Sequence, residues 1–502
     1  MASIIGIDFG NINSFPAYIS GINEQTNRGG VEISLLPAKR SMVGISSSFH
    51  YKNGMSTYGD AAATAVPKAN RRNLLKRRMG TTEEIDGAAI HYDEVITAMI
   101  KHIVDTANDE MEKNYHTQTN SISLAYPVVF SLAEKEHLRS LAEKAVLANG
   151  KNVKVEGMIQ EPAAAALAYL STLPETYQEQ TYTVLVYDLG GGTFDASVVT
   201  ARQAADGTMV SYEVLDQGGC SRAGNEFTEA MMNLILEKLE KLGVKMSGKD
   251  AARERLRRDA EELKINLSDS DTSVVYYEDP DGNEIEITRA DLERVTQALI
   301  DETISVSRAV YDRCAQKPDM IIMTGGQSQM PIIRTRLEQT FTPLGVTRVI
   351  HHKPQQAIAF GAARFGRLRP SSVRLRTGRM LGLANVVNPK DERRYVHELI
   401  PRNTVIPMER PVVAERFSPR EPTCQFTIHL QEARTDTPSI YNPEDFRTVV
   451  SLTIDFATDT PQTPNFDVSI IIDETNSIRF TASDPEGRFA TVTTTVNYSD
   501  FV

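Results

Sequence analysis

The chain has 502 residues, 41% of them hydrophobic and 24% charged, with a net charge of -12 at pH 7. At roughly 100–200 residues per domain this length calls for about three compact units, and the composition excludes a disordered, collagenous or coiled-coil chain. The acidic balance argues against sequence-independent nucleic-acid binding by the whole surface, so no direct nucleic-acid partner is expected.

From the N-terminus, residues 3–8 are a short apolar run closed by glycine, the pattern of a buried strand feeding a tight turn. The first ten residues lack a basic region followed by a long apolar stretch, and no run approaches the ~18 apolar residues of a membrane helix. A cytoplasmic protein without membrane contact is expected. Helical periodicity follows at 93–112 and 132–148. The strand pattern returns at 183–192, where Asp188-Leu189-Gly190 repeats Asp8-Phe9-Gly10, and a third strand-to-glycine turn lies at 321–326. That repetition reads as an internal duplication. Helical patterns at 226–242, 251–267 and 289–314 alternate with the strands, which predicts an α/β domain. Cys220, Cys314 and Cys424 lie far apart without CxxC spacing, so neither a zinc site nor a disulfide framework is indicated and a reducing cytosol fits.

Past Gly366 a polar, proline-bearing stretch cannot extend the preceding helix, which places a linker at 367–377. Short runs rich in Thr, Val, Ile and Phe at 425–430, 449–456, 466–473, 478–483 and 490–498 then predict an all-β module. Within it, 436–446 carries two prolines and no periodicity, as an exposed loop would.

The chemistry concentrates at 187–195, Tyr-Asp-Leu-Gly-Gly-Gly-Thr-Phe-Asp. Gly190, Gly191 and Gly192 let backbone N–H groups approach an anion, Thr193 adds a hydroxyl, and Asp188 and Asp195 are placed to order Mg2+ through its waters. A plain glycine hairpin is the rival reading of this stretch alone. Asp8 with Gly10, and Gly325-Gly326-Gln327-Ser328, supply two more such turns, and ligands bind at the carboxyl edge of α/β sheets. Glu261, Lys264 and Ser268 share one helix face, which also fits a solvated surface.

These stretches together resemble the ATPase domain of the seventy-kilodalton heat-shock chaperones over the first ~370 residues, and the resemblance continues past the linker. It rests on 6–10, Lys76-Arg77, 127–130, Glu161-Pro162, 188–195, 255–268, 325–327, 361–363, 399–407, 426–429 and 478–484. The fold it implies is an α/β actin-like, ribonuclease-H-like duplicated ATPase domain of two lobes at 1–366, the linker, and an all-β substrate-binding-like sandwich at 378–502. The resemblance further implies that ATP or ADP binds with Mg2+ held through water by Asp8, Asp188 and Asp195. Lys76 and Glu161 would act on the γ-phosphate and attacking water, with Thr193 at the phosphates. Gly10, Asn11, Gly190 to Gly192 and Gly224 would cradle phosphate. Glu261, Lys264 and Ser268 would grip the adenosine, opposite Gly325, Gly326 and Ser328. Taken alone, Lys76 in its basic run reads as a solvated loop.

The departures carry expectations of their own. Asn11 and Ile12 stand where the family has two threonines, Gln329 and Lys135 where it has arginines, and the linker lacks its usual acidic, leucine-rich character. Val502 directly follows the last expected strand, so a lidless member is expected, one holding extended peptide only briefly through 378–502. The implied activity is that of a slow ATP hydrolase and chaperone served by a J-domain co-chaperone and a nucleotide-exchange factor. The alternative is a catalytically weak nucleotide-binding adaptor in a stable complex with a J-domain protein, since 6–14 resembles that of ribosome-bound lidless relatives. A small-molecule kinase on the same fold is the third reading, and the β-module, which those kinases lack, argues against it.

Overall fold

The computed structural model describes residues 3–21, 30–36, 44–127, 130–173, 180–203, 209–244, 250–269, 272–279, 281–353, 355–367, 373–377, 379–387, 391–402, 404–435, 437–456, 460–473, 477–487 and 490–496. They fall into two compact units, Met1–Val128 with Leu141–Leu368, and Val129–Ser140 with Arg369–Val502.

The first unit is built on two sheets that repeat one pattern. In the first, strand Ile5–Asp8 runs parallel to Ser121–Tyr126, which runs parallel to Lys154–Gln160. On its other side Ile5–Asp8 turns back antiparallel into Asn13–Ser20, which pairs with Val31–Ser34. The second sheet has the same order: Gln180–Leu189 is parallel to Met320–Thr324, and that strand to Arg348–His351, while Phe194–Gln203 and Met209–Cys220 fold back antiparallel. Central strands buried on both faces read as unbroken apolar runs. Accordingly Ile5, Ile7, Val184 to Tyr187 and Ile321 to Met323 are all fully buried.

Two helices of small residues lie against these sheets. Glu161–Leu170 is buried along its whole length, and Ala357–Phe365 nearly so. They touch through backbone: a Cβ on Gly361 would lie 1.8 Å from the carbonyl oxygen of Ala164, and one on Gly6 2.1 Å from that of Ala359. Elsewhere the periodic helices form where expected, as Tyr92–Tyr115, Gly224–Lys241, Asp250–Ser268 and Arg289–Arg313. The last starts at a reciprocal cap, with the Thr288 hydroxyl accepting from the Asp291 N–H at 3.1 Å while the Asp291 carboxylate accepts from the Thr288 N–H at 3.2 Å. The helix expected at 132–148 ends at Glu143. Beyond it the Val153 N–H bonds the Ala145 carbonyl and Gly150 takes a positive φ, so the chain turns instead of continuing. Cys220, Cys314 and Cys424 are free thiols. Among the described residues no helix is long and apolar enough to cross a membrane.

The second unit carries two four-stranded antiparallel sheets. One is ordered Arg394–Ile400, Leu381–Val387, Gln425–Ala433, Phe446–Asp455, and the other Val412–Phe417, Phe466–Ile472, Ile478–Ser483, Val492–Val496. Alternate residues are buried, as in Phe466, Val468, Ile470 and Ile472, which is the pattern of a sheet with one face covered. Of the expected linker, 368–372 lie outside the described residues, and Val373–Arg376 is a strand paired with Val405–Ile406. The expected exposed loop contains a one-turn helix at Pro443–Asp445, and Ile440 and Tyr441 on it are exposed.

The contact at Gly361 is directly testable. Gly361→Ala forces a methyl into a backbone oxygen and is expected to lower the unfolding free energy by about 3 kcal/mol, the upper part of the overpacking range. Urea titration of both proteins checks it, and an unchanged midpoint would mean the two helices do not meet there.

Candidate functional site

Three turns meet at the carboxyl ends of the parallel strands. Asp8 ends the first strand, and the chain reverses through Gly10, Asn11 and Ile12. Asp188 occupies the equivalent place in the second sheet, reversing through Gly190 to Thr193, and its cross-strand partner is Asp195. The third turn follows Met320–Thr324: Gly325 has φ +82, and a Cβ there would lie 2.3 Å from the Leu189 carbonyl oxygen. Only glycine combines that backbone with that approach. The Ser328 hydroxyl is buried and donates to the Gly325 carbonyl at 2.7 Å, while Gly326 and Gln329 are exposed.

The Gly190 turn is closed by its own Gly190 N–H bonding the Thr193 carbonyl at 3.1 Å. Helix Gly224–Lys241 starts against it, with the Gly224 and Asn225 N–H groups donating to the Gly190 and Gly191 carbonyls at 3.0 and 2.8 Å. Among the described residues no acceptor takes the N–H of Gly191, Gly192 or Thr193. Gly192 is buried and its two neighbours half-buried, and buried backbone donors need partners, so these three amides have the chemistry that an anion would satisfy.

Lys76 comes from a short turn, Leu75–Arg78, entered through Leu74 in a left-handed conformation. Its ammonium is buried, 2.7 Å from Glu161 Oε1 and 5.8 Å from the centre of the Phe9 ring. Glu161 is the first residue of its helix, where a carboxylate is favoured by the helix dipole. Asp8 is pushed up to about 7 by burial, then by the Glu161 carboxylate, against the pull of Lys76. Asp188 is driven well above the usual carboxylate range by burial, with Glu161, Asp195 and Asp8 adding repulsion. The structure thus brings Asp8, Lys76, Glu161, Asp188 and Asp195 into one electrostatic cluster with four carboxylates against one ammonium. Such a cluster calls for a cation. Among the described residues no three Asp, Glu, His or Cys side chains converge to ligate a metal directly. The donor set fits Mg2+ held through its own waters, as that ion prefers.

The adenosine candidates are arranged differently from one another. Lys264 is buried and donates to the Gly224 carbonyl at 3.2 Å and the Thr228 hydroxyl at 2.9 Å, and burial pulls its ammonium down to about 8. Glu261 is exposed beside it, and the half-buried Ser268 hydroxyl donates to the Lys264 carbonyl. Lys264 therefore ties its helix to the start of the Gly224 helix. Lys135 is buried 3.6 Å from Glu136, and burial pulls its ammonium down to about 8.

Asn11 and Ile12 fill the gap between the first two turns. A Cβ on Gly191 would lie 2.6 Å from Ile12 Cγ1, and one on Gly192 would lie 2.9 Å from Asn11 Nδ2. Asn11 Oδ1 is buried without a hydrogen-bond partner among the described residues.

Sequence reasoning missed what holds Lys76 in place. Glu83 accepts from Arg72 at 2.6 to 3.0 Å, from Arg78 at 2.8 Å and from the Tyr92 hydroxyl at 2.5 Å, so it grips the basic turn on both sides of Lys76. The signal was an acid five residues beyond the basic run. Hydrogen bonding from Arg72, with help from Tyr92 and Arg78, pulls Glu83 down to about 2.

The family model described as Hsp70 protein matches 47–479. Three curated relatives carry the name "Chaperone protein DnaK". The chain is 29% identical over 376 residues to that of Mycoplasmoides gallisepticum, covering 72% of this chain and 59% of the relative. For Ureaplasma urealyticum the identity is 27% over 457 residues, 85% and 68% of the two chains, and for Mesomycoplasma hyopneumoniae it is 29% over 434 residues, 81% and 65%. The chain thus aligns with roughly three fifths to two thirds of the length of these relatives.

Glu83 gives the turn a pH signature. A carboxyl held below its ordinary value of 4.5 contributes stability that is complete above that value and is lost as pH falls toward 2. The stability difference between the protein and Glu83→Gln is expected to be constant above about pH 5 and to shrink on acidification. Unfolding curves across pH 3 to 7 read this, and a pH-independent difference would remove Glu83 as the anchor.

Proposed function

Because the chain belongs to the Hsp70 protein family, we propose that it is an ATP-dependent chaperone whose first unit has the actin-like two-lobed fold and hydrolyses Mg-ATP slowly. The observation that carries the reading is the buried Lys76–Glu161 pair beside Asp8 and Asp188, together with three consecutive backbone amides that have no acceptor among the described residues. In this mechanism the N–H groups of Gly191, Gly192 and Thr193 donate to phosphate oxygens. Lys76 offsets the charge that gathers on the γ-phosphoryl group as its bond to the β-phosphate breaks. Glu161 accepts a hydrogen bond from the attacking water and sets its line of approach. Asp8, Asp188 and Asp195 would hold Mg2+ through water, and the ion would supply neutralisation of the β- and γ-oxygens. Glu261, Lys264, Ser268, Gly325, Gly326 and Ser328 are assigned to the adenosine end, and Gly10, Asn11 and Gly224 to the phosphate end. The second unit, with its paired antiparallel sheets, takes extended peptide. A J-domain co-chaperone and a nucleotide-exchange factor are the partners this cycle requires.

A second reading is favoured by one observation, the contact of Ile12 and Asn11 with Gly191 and Gly192. An apolar side chain against the cradle donates nothing to phosphate, which suits a nucleotide-binding adaptor with weak catalysis in a stable complex with a J-domain protein.

Single-turnover cleavage of Mg-ATP, with equilibrium binding measured in parallel, separates the two. The chaperone reading expects Lys76→Ala to bind ATP yet cleave it about 100-fold more slowly. The adaptor reading expects no difference in cleavage between the two proteins. Under the adaptor reading, Ile12→Thr restores a hydroxyl donor and is expected to raise cleavage about tenfold, the effect of one hydrogen bond to a charged group.

A further inference from the structure

Arg77 follows Lys76 and points elsewhere. Its Nη2 donates to the carbonyl of Gly192 and, at 3.0 Å, to the carbonyl of Ser221, groups 115 and 144 residues away in sequence. The same short turn is tied to the first turn by the Leu74 N–H, which donates to the Asn11 carbonyl at 3.2 Å, and to the helix at Glu161 by Lys76. One loop therefore touches the first turn, the second turn and the end of strand Met209–Cys220.

Resting on the nucleotide reading above, we propose that Arg77 is a positioning residue for the phosphate cradle: by holding the Gly192 carbonyl outward it keeps the Thr193 N–H turned toward the anion. A trans peptide sets its C=O and N–H in opposite directions, so fixing one fixes the other. The peptide follows three glycines, whose backbone flips readily, and a flipped unit would present a carbonyl oxygen to phosphate instead of a donor. Arg77 reaches both carbonyls through the one nitrogen Nη2, held in the plane of the guanidinium, whereas a lysine ammonium lies one atom nearer the backbone on a flexible stem. Arg77 is exposed, so its removal leaves the core intact and its contribution is orientation of the turn rather than global stability.

The test compares the protein with Arg77→Met and Arg77→Lys by hydrogen exchange and by equilibrium binding of MgADP, with thermal midpoints as the check of folding. The amides to follow are Gly190, Gly224 and Asn225, whose hydrogen bonds close and dock the turn. Both variants are expected to keep the midpoint, to exchange faster at these amides and to bind MgADP about tenfold more weakly, as expected when one charge-assisted hydrogen bond is lost. Full affinity in Arg77→Lys would show that charge alone suffices and would overturn the proposal. So would weakened binding without faster exchange, or faster exchange with unchanged binding. If the unaltered protein fails to bind MgADP, the nucleotide reading falls first and the positioning role falls with it.

Discussion

The buried pairing of Lys76 with Glu161 is the constraint around which the first unit is arranged. Taking both charges out of water is costly, and a lone pair at 2.7 Å rarely recovers that cost. Here the pair is embedded in a larger imbalance: Asp8 and Asp188 are close enough to be raised by Glu161 and lowered by Lys76. Among the described residues Lys76 is the cation that Glu161, Asp8 and Asp188 share. The elements that deliver these groups are also those that join the halves of the unit. Glu161 begins the helix between strand Lys154–Gln160 of one sheet and Gln180–Leu189 of the other.

Much of this arrangement was legible in the sequence, and the limits have physical causes. Strand-end aspartates followed by glycine announce themselves locally, because a turn that must accept an anion can use few residue types. The helices at Glu161–Leu170 and Pro331–Phe341 do not, since the first is buried on every side and so has no polar face from which to read a period. The four strands between 381 and 417 were equally hidden, their residues broken by charges such as Glu415 and Arg416 and by a shifted register at Ala414/Phe417. Lys76 was ambiguous by sequence because its counter-charge lies 85 residues away. Nothing in the helix face of Glu261, Lys264 and Ser268 said that the middle residue would be buried and bonded to Thr228, leaving Glu261 exposed.

Asn11 and Ile12 show how one substitution can trade chemistry for packing. At these positions a hydroxyl would serve an anion, whereas the β-branched sec-butyl side chain of Ile12 serves the contact between the two turns. The two turns therefore stand closer to a packed interface than to an open slot, and Glu83 and its arginines keep the Lys76 turn braced beside them.

The crossing of the two small-residue helices has a mechanical side. Where backbone meets backbone at Gly361 and Ala164, there is no side-chain rotamer to reset when one helix shifts on the other. Interfaces of that kind suit shear motion, in which packed helices slide by small steps while the bodies attached to them move rigidly. The smooth crossing can therefore act as a bearing: intolerant of any added atom, yet cheap to move along its own surface.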